Sequence, residues 1–238
     1  MERVDIVPGT DFKIVQDKTC FSYGTDAIFL SDFAKPKGIV LDLGTGSGII
    51  PLRIAGNPKV KKIYGIEIQE DVAERARRSV ELNGLEERIE ILNMDLKDLD
   101  DKFLKCEIDT VISNPPYLKE GAAVVNEKEN FAVSRHEIAC NLEDIISVSE
   151  YLLRPLGRLF LVHRPDRLTD ILSLLREYKL EPKWIRFVYP KQGKAPNLVM
   201  IEAVKDGNKE LRFYEPLIVY KEDGSYTEEI YKIYDRRS

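Results

Sequence analysis

Four consecutive residues, Asn114-Pro115-Pro116-Tyr117, have the chemistry to recognise a planar amine. They follow the apolar run Thr110-Val111-Ile112-Ser113, which reads as a buried strand. The two prolines end that strand, because neither can donate to a sheet ladder. The four residues are therefore expected just past the carboxyl end of a strand, where open α/β sheets place their ligands. A proline also forces the residue before it into extended backbone, which holds Asn114 and gives the Pro115 carbonyl a defined direction. The Asn114 amide oxygen and that carbonyl make two adjacent acceptors, matching one NH2 group. The Tyr117 ring could stack on the heterocycle that carries it. The same residues also suit an ordinary strand-ending turn, so the rest of the chain must decide.

A second set of residues has ligand-binding spacing. Gly38-Ile39-Val40-Leu41-Asp42-Leu43 reads as a buried strand that runs into Gly44-Thr45-Gly46-Ser47-Gly48 and then a helix. A glycine turn at this place lets a ligand approach bare backbone. A dinucleotide fingerprint needs its third glycine one place later, where this chain has Ile49, so the spacing counts against NAD or FAD. Asp42 can accept hydrogen bonds from backbone or from a ligand's cationic amine. Glu67 closes the next strand, Lys61 to Ile68, and is suitably placed for the two hydroxyls of a ribose. A third acid, Asp95, follows the strand Arg88 to Leu92.

The elements that must position these groups alternate strand and helix. Phe21 to Leu30 reads as a glycine turn feeding an apolar helix, with Thr25 or Asp26 as N-cap. A helix from Glu70 to Asn83 carries Val72, Ala73, Ala76 and Val80 at helical spacing and stops at Asn83-Gly84. A short helix is expected around Asp98 to Lys105. Residues 118–137 have little periodicity and form a loop long enough to suggest function. A helix runs from Asn141 or Leu142 to Leu153, a turn at Pro155-Leu156-Gly157 leads to a strand from Arg158 to Val162, and a helix from Arg167 to Tyr178 follows. Two last strands, Trp184 to Val188 and Leu198 to Ala203, flank the basic loop Tyr189 to Asn197. The expected fold is a Rossmann-like α/β domain. Its seven-stranded, mostly parallel sheet has helices on both faces and an antiparallel last strand. One domain spans 1–238: a cover segment (1–36), a core (37–205) and a tail (206–238) with a hairpin around Glu222-Asp223-Gly224-Ser225.

Composition narrows the class. With 43% hydrophobic and 32% charged residues, the 238-residue chain can build a large core and remain an ordinary soluble protein. No basic start precedes an apolar stretch, so no signal peptide is expected, and no apolar run reaches membrane-spanning length. Cys20, Cys106 and Cys140 lack CxxC spacing. With only His136 and His163 beside them, a metal site is not expected, and the thiols fit a reducing cytoplasm. A net charge of −5 disfavours general coating of nucleic acid but allows a local basic face. Arg164, Arg167, Arg186, Lys191 and Lys194 are candidates for that face.

Over roughly residues 20–205 the pattern resembles the class I S-adenosylmethionine-dependent methyltransferases. Asp42 to Gly48 resembles their first motif, Glu67 and Asp95 fall at their ribose and adenine positions, and Asn114 to Tyr117 resembles the motif of members that methylate planar nitrogens. Together with Phe21 to Leu30, Arg135-His136-Glu137 and the Tyr189 to Asn197 loop, the chain is similar to bacterial tRNA-Val (adenine-N6) methyltransferases. The resemblance implies S-adenosylmethionine as cofactor, held by Tyr23, Thr25, Asp26, Asp42, Gly44, Thr45, Gly46, Gly48, Glu67, Ile68, Asp95, Leu96 and Asn114. It implies catalysis at Asn114, Pro115, Pro116 and Tyr117. The implied partner is tRNA, met by Tyr117, Arg135, His136, Lys191 and Lys194. Competing readings are a protein-glutamine methyltransferase, an rRNA or small-molecule methyltransferase, and a binding module without turnover. Glutamine also offers a planar NH2, but that family usually carries a helical N-terminal domain, for which about 36 residues are too few. Oligomeric state is left open.

Overall fold

The computed structural model describes residues 2–17, 24–115 and 142–235. Its centre is set by two strands that are covered on both faces. In β6 (Ile108–Ser113) all six residues are buried, and β3 (Gly38–Leu43), its parallel neighbour, buries its last four. Strands covered on both faces carry apolar side chains toward both layers, here Val40, Leu41 and Leu43 in β3 and Ile108, Val111 and Ile112 in β6.

On one side of β3 lie β4 (Val60–Glu67) and then β5 (Ile89–Asn93), both parallel. On the other side of β6 lies parallel β7 (Leu153–His163), followed by antiparallel β9 (Leu198–Lys205) and then β8 (Leu180–Lys191). These are the seven expected strands, with the last in sequence antiparallel. The sheet is larger by two short strands from the C-terminal segment, β10 (Arg212–Phe213) and β11 (Leu217–Tyr220), which both pair in parallel with the outer edge of β8.

The helices divide between the two faces. α1 (Thr25–Phe33), α2 (Ile49–Ile54) and α3 (Glu70–Leu82) cover one apolar layer, joined by α6 (Glu228–Asp235). The other layer is closed by a 3-10 turn at Leu96–Asp101, by α4 (Leu142–Leu152) and by α5 (Leu168–Glu177). No described helix is long and apolar enough to cross a membrane.

Several local expectations change. Residues ahead of the core form a separate hairpin, β1 (Glu2–Ile6) with β2 (Lys13–Asp17). It docks on α3: Asn83 accepts from Lys13 N at 2.8 Å and donates to Lys13 O at 2.7 Å, and Ser79 Oγ accepts from Val15 N at 2.9 Å. The N-cap of α1 is Gly24, with no side-chain cap bond, in place of Thr25 or Asp26. The helix foreseen at Asp98 is the 3-10 turn, begun by Asp95, whose side chain accepts from Lys97 N at 3.0 Å. The turn at Pro155-Leu156-Gly157 lies within β7, as an irregularity where pairing with β6 jumps from Leu153 to Arg158.

Candidate active site

The parallel strands bring their carboxyl ends into one row. Leu43 of β3 is in register with Ile66 of β4 and with Ser113 of β6, while Glu67 pairs with Asn93 of β5. The first motif, Glu67, Asp95 and Asn114 therefore share one edge of the sheet, although they lie up to 72 residues apart (114 − 42) in sequence.

Side chains fasten that edge. Ser113 Oγ donates to Leu43 O at 2.9 Å, tying the residue before Asn114 to the residue before Gly44. Asn93 Nδ2 donates to the carbonyls of Glu67 and Ile68 at 2.9 and 3.0 Å, fixing β5 to β4. The sequence reading assigned no role to Ser113 or Asn93. The available signal was a polar residue at the last position of an otherwise apolar strand.

The turn after β3 is wound tightly. Gly44, Gly46 and Gly48 have φ of 73°, 55° and 84°, a region that L side chains rarely adopt. Gly44 N and Thr45 N both donate to Ile66 O, at 3.0 and 2.8 Å. At Gly44 and Gly46 an added Cβ would meet no atom within 4 Å, so bare backbone faces open space.

Two buried carboxylates flank this turn. Glu67 Oε2 accepts from Gly46 N at 3.0 Å and Oε1 accepts from Gln69 N at 2.9 Å, so the acid braces the turn across strands. Asp42 is fully buried and accepts from Thr45 Oγ1 at 2.6 Å through Oδ2. Burial pushes its pKa up to about 7, and the Glu67 charge adds to the rise against the opposing Thr45 bond. Among the described residues, Asp42 Oδ1 is a buried oxygen without a hydrogen-bond partner. An orphaned acceptor beside an open glycine turn fits a ligand with a cationic donor.

The other expected site residues fall as follows. Asn114 and Pro115 lie directly past β6, half-buried and buried respectively. Ile68 is exposed and, with Gln69, Glu70 and Asp71, lines an open depression next to Glu67. Leu96, the first residue of the 3-10 turn, is buried. Thr25 and Asp26 open α1, which packs on α2, β7 and β9. Lys191 ends β8, which runs parallel to β7, so Lys191 and exposed Lys194 stand at the same carboxyl edge as Asn114. Tyr23, Pro116, Tyr117, Arg135 and His136 lie outside the described residues. Arg186 is committed elsewhere: it donates to Glu215 O at 2.9 Å and pairs with Glu229 at 2.6 Å, holding the C-terminal segment. His163, the last residue of β7, is buried there and accepts from Arg164 N at 2.8 Å. Burial lowers its pKa. Among the described residues no group of three His, Cys, Asp or Glu is arranged to hold a metal ion.

A doubly wound sheet with an open glycine turn, and with acids at the ends of the next two strands, is an arrangement in which α/β domains bind nucleotide-type cofactors. The methyltransferase small domain model matches residues 11–177, and the chain belongs to that family. It is thus an S-adenosylmethionine-dependent methyltransferase. A tRNA1(Val) (adenine(37)-N6)-methyltransferase of Porphyromonas gingivalis is 30% identical, over 96% of this chain and 93% of its own length. One of Aeromonas hydrophila is 26% identical, over 91% and 90%. Among solved structures, a "predicted O-methyltransferase" of Agrobacterium tumefaciens superposes with a TM-score of 0.71 at 22% identity, over 90% of this chain and 97% of that one. A geranyl diphosphate methyltransferase in complex with SAM superposes with a TM-score of 0.56 at 16% identity, over 76% and 84%. These two likenesses concern the fold.

Proposed function

We propose that this chain methylates the exocyclic N6 amine of an unpaired adenosine in tRNA, the anticodon-loop adenosine of tRNA-Val being the favoured target. The observation that carries the reading is the placement of Asn114 and Pro115. They sit immediately beyond Ser113, whose hydroxyl is bonded to the strand end that opens the glycine turn. This placement supports an acceptor pair for a planar amine beside the cofactor turn. The names of the relatives, similar over almost the whole chain, support adenine as the carrier of that amine.

Asp42, the backbone of Gly44 to Gly48 and Glu67 would hold the cofactor, with Ile68, Asp95 and Leu96 around its base. Bound there, S-adenosylmethionine supplies an electrophilic methyl on a sulfonium whose departure needs no proton. The protein's task is then alignment. Asn114 Oδ1 and the Pro115 carbonyl accept the two N–H bonds of the amine, whose lone pair is otherwise delocalised into the ring. Those bonds strengthen as the nitrogen pyramidalises, so they lower the barrier rather than merely tighten binding. Holding nitrogen, methyl and sulfur in line adds the advantage of orientation. Tyr117 follows in sequence as a stacking surface for the unstacked base. Lys191 and Lys194 carry charge for the phosphates.

The test is incubation with methyl-labelled S-adenosylmethionine and either unmodified tRNA-Val transcript or total protein, followed by nucleoside and amino-acid analysis. Label in N6-methyladenosine is the expected outcome. Label only in glutamine would overturn the choice of substrate while keeping the acceptor pair.

A further inference from the structure

The C-terminal segment carries a column of tyrosines that the transfer chemistry does not use. Tyr226 lies between Tyr220 and Tyr234, with ring centroids 5.2 and 5.7 Å away and interplanar angles of 18° and 19°. Tyr231 meets Tyr226 edge-on at 5.8 Å. The column is anchored to the sheet at one end: Tyr220 is the last residue of β11 and pairs with Lys191 of β8, and it bridges to Tyr226 across a hairpin. Tyr220 therefore stands beyond the carboxyl edge of the sheet, on the same side as the candidate active site. It is 37% exposed. Lys221 follows it in the chain, Lys191 is its pairing partner on β8, and the Lys191 ammonium reaches the Glu222 carbonyl at 3.5 Å. A ring at the end of a stack, half-open to solvent and bordered by cations, has the composition of a single-stranded nucleic-acid platform.

Distance adds to the argument. From β11 to β6 the path crosses β8, β9 and β7, which makes four strand steps. At about 4.8 Å each, that is roughly 19 Å across the sheet; Ser113 is level with Ile185 and Tyr220 with Lys191, which adds about 17 Å along the strands, so Tyr220 lies roughly 25 Å from Asn114. That span suits a base a few nucleotides from the target rather than the target itself.

The geometry points to Tyr220 as the stacking platform for an unpaired base flanking the methylated adenosine, with Lys191 and Lys194 on the intervening phosphates. This inference rests on the reading of RNA as substrate. It assigns to the C-terminal segment a positioning role in substrate capture, separate from the transfer chemistry at Asn114.

The test uses the full chain and tRNA-Val anticodon-arm hairpins carrying 2-aminopurine at single loop positions. Wild type should quench the probe at a position flanking the target. Tyr220→Ala should abolish that quenching and raise KM for tRNA about tenfold, the size expected for losing one base–aromatic stack, while kcat at saturation holds. Tyr220→Trp should restore both. If Tyr220→Ala only lowers the melting temperature and leaves KM and quenching unchanged, the column is structural and the proposal is overturned. Quenching reports binding alone. A wild-type chain that quenches at a flanking position but methylates no RNA overturns the transfer reading and keeps the platform. One that methylates tRNA with Tyr220→Ala as fast at limiting tRNA does the reverse.

Discussion

Replacing Asn114 with Ala removes one of the two acceptors for the amine and leaves the glycine turn and both buried acids intact. Cofactor affinity should stay near wild type, while the saturated single-turnover rate falls by roughly 100- to 1000-fold. Unchanged transfer at saturation would refute the acceptor role. Asp42 offers a test in pH. Its pKa in the folded chain, about 7, lies above the ordinary 3.8, so the folded state holds a proton that the unfolded state has released. That contribution to stability is full below the unfolded value and is lost as pH rises through 7. Cofactor binding runs the opposite way, because a cationic ligand favours the carboxylate. Affinity measured by calorimetry should rise up to about tenfold per pH unit below 7 and flatten above it. Asp42→Asn should bind weakly with a flat profile, and an equally steep profile in that variant would assign the titration to another group.

At the scale of elements, the residue that locks β6 to β3 is Ser113. Ser113→Ala deletes the bond to Leu43 O while keeping the strand apolar, and should cost about 1 kcal/mol of stability. Because Asn114 follows directly, transfer should slow by more than the stability loss explains, with Ser113→Thr recovering part of the rate. Equal kcat in Ser113→Ala would show that backbone pairing alone fixes Asn114. Such a residue is hard to see in a sequence: one serine in a run of apolar residues looks neutral until register sets it opposite Leu43. The strands themselves were legible, since β3, β4, β6 and β7 each carry a buried, largely apolar stretch toward the carboxyl end. The glycine turn and the acids after each strand were legible for the same reason, as their spacing is local. The N-terminal hairpin was not. Its first strand leaves Val4 and Ile6 exposed, at 56% and 69%, against the usual alternation toward a core, and its support comes from Asn83 and Ser79 in a distant helix. The tail strands were hidden by their shortness and by Pro216.

For the whole molecule, Arg53 closes the chain on itself. Its guanidinium donates to the Pro8 carbonyl, to Ser31 Oγ at 2.6 Å and to Ile233 O at 3.2 Å, joining the N-terminal segment, α1 and the last turn of α6. The last of these contacts also places a cation at the negative end of a helix. Arg53→Ala should remove about 2–3 kcal/mol, given the strength of charged hydrogen bonds. In a domain of this size that lowers the melting temperature by roughly 5–10 °C, read by calorimetry. A shift below one degree would mean that the segments hold together without it.

The two outer edges of the sheet are finished differently. β5, at one end, is only five residues long. β8, at the other, runs for twelve, and the chain covers it with its own later residues: β10 on Trp184 and Ile185, Tyr214 N bonded to Ile185 O at 2.9 Å, then β11 from Val188 to Lys191. A long strand with unpaired amides would recruit strands from other molecules. The C-terminal segment therefore acts as a built-in guard against aggregation. Cutting the chain after Lys205 should yield protein that collects in insoluble, sheet-rich particles even where its active-site strands could still form.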